Sequence, residues 1–130
     1  MSHFLRIQTQ LREREHLVAA LRDLHYQYQE GQDLVVRGYA GNREQAQVIV
    51  NTGCAYDIGF QKRGESYEMV ADWWGVERGS PIRQQAFIQQ INRAYAYNLI
   101  REQAVEQNMI VEEEQRLPNG DVVILLSERG

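Results

Sequence analysis

The chain has 130 residues, enough for one domain that withdraws roughly two thirds of its unfolded surface from water and so forms a core without staples. Eighteen acidic against fourteen basic residues leave a formal charge of -4, which disfavours broad attraction to phosphate backbones or anionic membranes. A single cysteine, Cys54, excludes an intramolecular disulfide, and no Cys/His spacing points to structural zinc, as fits a reducing compartment.

The opening Met1, Ser2, His3, Phe4, Leu5, Arg6 lacks a basic start followed by an apolar run, and no apolar stretch reaches membrane length, so an unexported cytoplasmic protein is expected. Phe4 to Thr9 sets Leu5 and Ile7 against Arg6 and Gln8, the alternation of a half-buried strand. From Arg12 to about Leu24, Leu17, Val18, Leu21 and Leu24 recur at helical spacing and mark a short helix with one apolar side. Tyr26 to Glu30 and Leu34 to Tyr39 then read as two short strands, separated by the turn residues Gly31, Gln32 and Asp33. After a turn at Gly41 and Asn42, Ala46, Val48 and Val50 alternate with Gln45, Gln47 and Ile49 until Asn51, Thr52 and Gly53 end the strand.

A hairpin follows. With a tight turn centred on Arg63 and Gly64, Phe60 lies opposite Tyr67, Ile58 opposite Met69 and Tyr56 opposite Ala71, which collects the bulky residues on one face. The other face then receives Asp57, Gly59, Glu68, Val70, Asp72 and Trp74, with the second strand running from Ser66 to Gly75. Ser80 and Pro81 form a helix start, and the helix is expected to reach about Gln107, with Asn108 as a left-handed terminator. At roughly 27 residues and ~1.5 Å per residue it would span about 40 Å. Phe87, Ile88, Ile91, Ala94, Tyr95, Leu99 and Val105 form its main apolar stripe, while Tyr97, Ile100 and Ala104 fall on another side. A closing hairpin runs from Ile110 to Gln115, turns at Leu117, Pro118, Asn119 and Gly120, and returns through Val122 to Leu126, a run apolar on both faces that suits a covered strand. No linker or repeat divides the chain. The order predicts a single α+β domain: an antiparallel sheet of about six or seven strands with one short and one long helix packed mainly on one face.

Several blocks now carry a likeness. Ser2, His3 and Phe4; Val36 to Tyr39; Tyr56 to Phe60; Tyr67 to Gly75, ending in Asp72, Trp73, Trp74, Gly75; and Arg93 to Tyr97 together resemble the hypothetical chloroplast reading frame thirty-five family. The likeness spans almost the whole chain, with one small departure at Ala94, where an arginine directly before the tyrosine would match better. The resemblance implies a cytosolic or stromal protein of photosynthetic organisms. It implies no reaction, no cofactor and no catalytic residue, because that family is uncharacterised.

Asp57, Glu68 and Asp72 share the polar face of the hairpin, where clustered carboxylates serve as an acid/base pair or a cation site, or accept a structural hydrogen bond from an indole or from a neighbour such as Arg37. Trp73 is assigned to the core and Trp74 to the opposite face, either exposed as an anchor for a partner or covered by Val76 to Gly79 or the long helix. Cys54 has no neighbouring base, and His3, His16 and His25 lack metal spacing, His16 lying on a charged helix side. Gly38 to Gly41 lacks the pattern of a phosphate loop. Basic candidates, Lys62 and Arg63 in a turn and Arg12, Arg14 and Arg22 around the first helix, lie among glutamates and read as solvated surface.

The sequence therefore points to a non-enzymatic protein-binding or regulatory module without metal or cofactor. Its candidate surfaces are the Asp57, Glu68, Asp72, Trp74 face and the Tyr97, Ile100, Ala104 side of the long helix, the latter either covered by the last hairpin or used for docking or a homodimer. The alternative is a small ligand-binding protein or enzyme working from the carboxylate and tryptophan face. Neither nucleic acid nor a membrane span is expected.

Overall fold

A computed structural model describes residues 3–39, 43–118 and 121–129. The turn expected at Gly41 and Asn42, and Asn119 and Gly120 of the last turn, lie outside the described residues. The elements run β1 (Leu5–Gln8), α1 (Arg14–Asp23), β2 (Gln27–Arg37), β3 (Arg43–Asn51), β4 (Ile58–Arg63), β5 (Ser66–Ala71), α2 (Trp73–Gly79), α3 (Gln84–Glu106), β6 (Met109–Arg116) and β7 (Val122–Glu128). The architecture is α+β, and every strand pairing is antiparallel. Five strands form a sheet in the order β1, β5, β4, β3, β2, and β6 and β7 form a separate pair. No helix among the described residues is long and apolar enough to cross a membrane.

One core joins the sheet to the helices. Leu17 and Leu21 of α1, Trp73 and Val76 of α2, and Phe87 and Ile91 of α3 bury against Val48, Val50, Ile58, Phe60 and Met69. Ile49 alternates with Val48 and Val50, so it leaves that core and joins Val36, Ala46, Phe4 and Leu34 in a smaller cluster of its own. Gly59, paired with Ile49, makes room for it: a β-carbon there would sit 2.4 Å from Val36 Cγ2.

The expected pair of strands around Gly31, Gln32 and Asp33 is one strand. Glu30 pairs with Val48 and Leu34 with Ala46, so these three residues bulge against Gln47 alone, whose side-chain amide donates to Gln32 O at 3.0 Å. Beyond Phe60, β3 and β4 part, and glutamines bridge the gap. Gln47 Oε1 accepts from Lys62 N at 2.7 Å, and Gln61 Nε2 donates to Gln45 O at 2.9 Å.

The central hairpin pairs Phe60 with Met69 and Ile58 with Ala71, two residues away from the expected register, because its loop is Gly64 and Glu65. Gly64 adopts φ +63°, which suits glycine at the first position of a two-residue loop. Since side chains alternate with a period of two, a slip of two preserves every face assignment. A slip of one would have reversed them all.

The helix boundaries need more correction. Ser80 and Pro81 do not open the long helix, which starts at Gln84; Ser80 instead closes α2, its amide and hydroxyl both donating to Val76 O, at 3.0 and 2.7 Å. The long helix has 23 residues, and Asn108 ends it at φ 58°, the left-handed terminator that the sequence suggests. Helix α1 ends the same way at His25, φ 64°, with Tyr26 N donating to Leu21 O and His25 N to Arg22 O.

β7 is not a covered strand. It pairs with β6 alone and leaves Val123 and Leu125 about half exposed, at 49% and 51%. Val105, assigned to the apolar stripe of α3, is 77% exposed, whereas Phe87, Ile91 and Tyr95 of that stripe are buried.

Candidate functional site

The block Asp72, Trp73, Trp74, Gly75 forms a helix start rather than a strand end. Asp72 caps α2, Oδ1 accepting from Gly75 N and Oδ2 from Tyr39 N, each at 3.3 Å. Trp73 then turns into the core against Phe87, ring centroids 5.8 Å apart, as expected of it, though through a helix and not through strand alternation. Trp74 turns outward and stays 49% exposed. One helical turn on, the Arg78 guanidinium lies 4.5 Å from the Trp74 ring centroid, a cation-π contact.

The three carboxylates expected to share a face have separate engagements. Asp57 is buried and accepts from Arg37 N, Nε and Nη2, each at 2.9 Å, the structural hydrogen bond that the sequence offered as one reading. That hydrogen bonding holds the Arg37 guanidinium above its ordinary value. Glu68 Oε1 sits between Arg63 Nε at 3.2 Å and Arg6 Nη1 at 3.5 Å, an ion pair on each side. Asp72 is almost wholly buried in its capping role. The arrangement can hold strands and a helix end in register, and only Trp74 of the four opens broadly to solvent.

On the long helix, Tyr97 donates to Glu114 of β6 and accepts from Arg101 Nη1 at 3.4 Å. Bonding to Glu114, then partial burial, hold the Tyr97 phenol above its ordinary value. Ala104 is buried and Ile100 is 37% exposed, and the bond from Tyr97 to Glu114 sets β6 against part of this side.

Two clusters escaped the reading of the sequence. His16 is buried and does not lie on a charged surface: its Nε2 meets the Glu102 carboxylate of α3, its ring stands edge-on to Tyr95 at 5.7 Å, and its Nδ1 is buried without a partner among the described residues. The Tyr95 hydroxyl accepts from Arg12 N at 3.0 Å and Glu13 N at 2.8 Å, so α3 also satisfies amides just before α1. Glu15, His16 and Glu102 bring one imidazole and two carboxylates within 4.8 Å of one another, a donor set from two helices that spacing along the chain cannot reveal.

The second cluster surrounds a cavity of about 660 Å³ between the end of α1, the middle of α3 and the turn end of the last hairpin, where Arg116 pairs with Val122. Arg22, Arg93, Arg101 and Arg116 line it. Of these, the sequence drew attention to Arg22, as solvated surface, and to Arg93, only as part of a family block.

Comparison with known proteins finds relatives of the chain. A family model described as "Protein of unknown function (DUF1257)" matches residues 20–125. A relative from Cyanophora paradoxa, described as "Uncharacterized protein ycf35", is 27% identical over 126 residues, covering 97% of this chain and 96% of its own. A second protein of that description, from Guillardia theta, is 34% identical over 110 residues, covering 80% of this chain and 79% of its own. No solved structure matches the chain.

Proposed function

Since the chain belongs to the DUF1257 family, whose relatives include the ycf35 proteins of algal plastids, we propose that it is a protein-binding module. In this reading it acts in the stroma or cytosol of a photosynthetic cell and performs no reaction itself. The observation that carries the reading is Trp74. A large aromatic side chain, 49% exposed, is held on a short helix fixed by the Asp72 cap on one side and the buried Trp73 on the other. Arg78 lies against its ring, and tryptophan and arginine are both among the residue types enriched where a few side chains dominate binding energy.

The rival, a ligand site or enzyme on Asp57, Glu68 and Asp72, has less support, because each carboxylate is engaged by arginine or backbone amides. Docking or homodimer formation through Ile100 beside Tyr97 is the second surface of the same proposal, Ala104 lying beneath it. The test is recovery of partners from a stromal or cyanobacterial extract on the immobilised chain. Trp74→Ala is expected to reduce recovery about tenfold or more with the melting temperature unchanged. Equal recovery by the variant and the wild type would remove Trp74 from the proposal.

A further inference from the structure

We propose that the cleft between α1, α3 and the last hairpin binds a small phosphorylated anion. Its volume, about 660 Å³, falls within the range of about 300–1,000 Å³ usual for small-molecule sites. Three elements supply its cations: Arg22 from the last turn of α1, Arg93 and Arg101 from α3, and Arg116 from the end of β6. Four of the fourteen basic side chains of an acidic protein therefore converge on one cavity.

What those arginines already bind decides what they can still hold. Arg93 is ion-paired with Asp121 at 3.5 Å, so part of its charge is answered. Arg22 and Arg101 instead donate to neutral hydroxyls, of Tyr28 at 3.2 Å and Tyr97 at 3.4 Å. Among the described residues, neither they nor Arg116 have a carboxylate at ion-pairing distance. Asp23, the acid that lines the cleft, accepts from the Asn98 amide at 3.0 Å.

Arg101 and Arg116, with no carboxylate at ion-pairing distance among the described residues, and Arg22, on which Asp23 and Glu30 act only from farther off, match an anion that has more than one negative charge and several acceptor oxygens. A phosphoryl group offers both, and arginine engages it through paired N–H donors. The surroundings argue for a small ligand over a nucleic acid: Glu112, Glu113 and Glu114 follow one another on β6 outside the cleft lining, and the net charge of -4 repels a long polyanion. Trp74 does not line this cleft, so the proposal stands apart from protein docking.

Calorimetric titration tests it, with inorganic pyrophosphate as the probe and citrate and sodium chloride at matched ionic strength beside it. Wild type and Arg43→Gln, an exposed arginine of β3 outside the cleft, should bind pyrophosphate alike, with citrate weaker by about tenfold or more. Arg101→Gln and Arg116→Gln should each weaken pyrophosphate about tenfold or more. Arg116 is exposed, so its variant should keep the wild-type melting curve and carries the test even if Arg101→Gln does not fold. The proposal is overturned if pyrophosphate does not bind, if both cleft substitutions leave binding unchanged, if citrate binds as tightly, or if an RNA oligonucleotide competes at lower concentration.

Discussion

Asp57 and Arg37 form a pair whose two halves stand in different media. The Asp57 side chain is 7% exposed and that of Arg37 54% exposed, so water can take over from a lost partner on one side only. Removing the Arg37 side chain leaves a buried carboxylate without its counter-charge and with the Arg37 backbone amide still donating to it, whereas neutralising Asp57 leaves a guanidinium that solvent can reach. Arg37→Ala should therefore cost more stability than Asp57→Asn. Rough values are about 2–4 kcal/mol for the first and about 1–2 kcal/mol for the second, the exposure of Arg37 holding both below a fully buried pair. Urea denaturation of the two variants measures the order, and a larger loss for Asp57→Asn would contradict this account. The pairing was legible in the sequence as a possibility, Arg37 being a neighbouring donor open to one of the three carboxylates of the hairpin face. The His16 to Glu102 contact was not, since 86 positions separate its members and only the packing of α1 on α3 joins them.

Within the elements, the informative case is the passage from β5 to α2. Tyr67, Met69, Ala71 and Trp73 keep a period of two, so the strand reads on past its end. A helix of seven residues offers only two turns in which a period of 3.6 could show itself. The cap resolves it physically: Asp72 turns its carboxylate back onto Gly75 N, and from there Trp73 and Val76 share the buried side. Both readings bury Trp73, which is why its place in the core was legible while the exposure of Trp74 and the secondary structure of both were not. Trp73→Ala should destabilise by about 3–5 kcal/mol through the cavity it leaves beside Phe87. Trp74→Ala should lie within about 0.5–1 kcal/mol of wild type, losing the contact with Arg78 and little buried area. Thermal or urea unfolding separates the two, and comparable losses would mean that Trp74 is covered in solution.

For the whole molecule, the division of seven strands into five and two matters most. Val122 to Leu126 is apolar on both faces, and a sequence cannot distinguish an apolar face that is covered from one that is open. Here β7 stays outside the main sheet, and the hairpin is joined to the body through α3, where Tyr97 donates to Glu114. That joint has a defined response to pH. The phenol is held above its ordinary value of about 10, so the folded chain keeps this proton where the unfolded chain has begun to lose it. The contribution is thus fully present below the unfolded value and is lost as pH rises through the folded one. Loss of the proton also sets a phenolate against the Glu114 carboxylate, which turns the bond into repulsion. Spectrophotometric titration should then show a late tyrosine class containing Tyr97 and Tyr26, the latter raised by burial, and Tyr97→Phe should remove one member of it. Limited proteolysis across the same range should cut the hairpin faster in the wild type as the pH passes upward, with a flatter dependence in Tyr97→Phe. Proteolysis that rises equally in both would place the attachment of the hairpin elsewhere on α3, in the packing around Ala104.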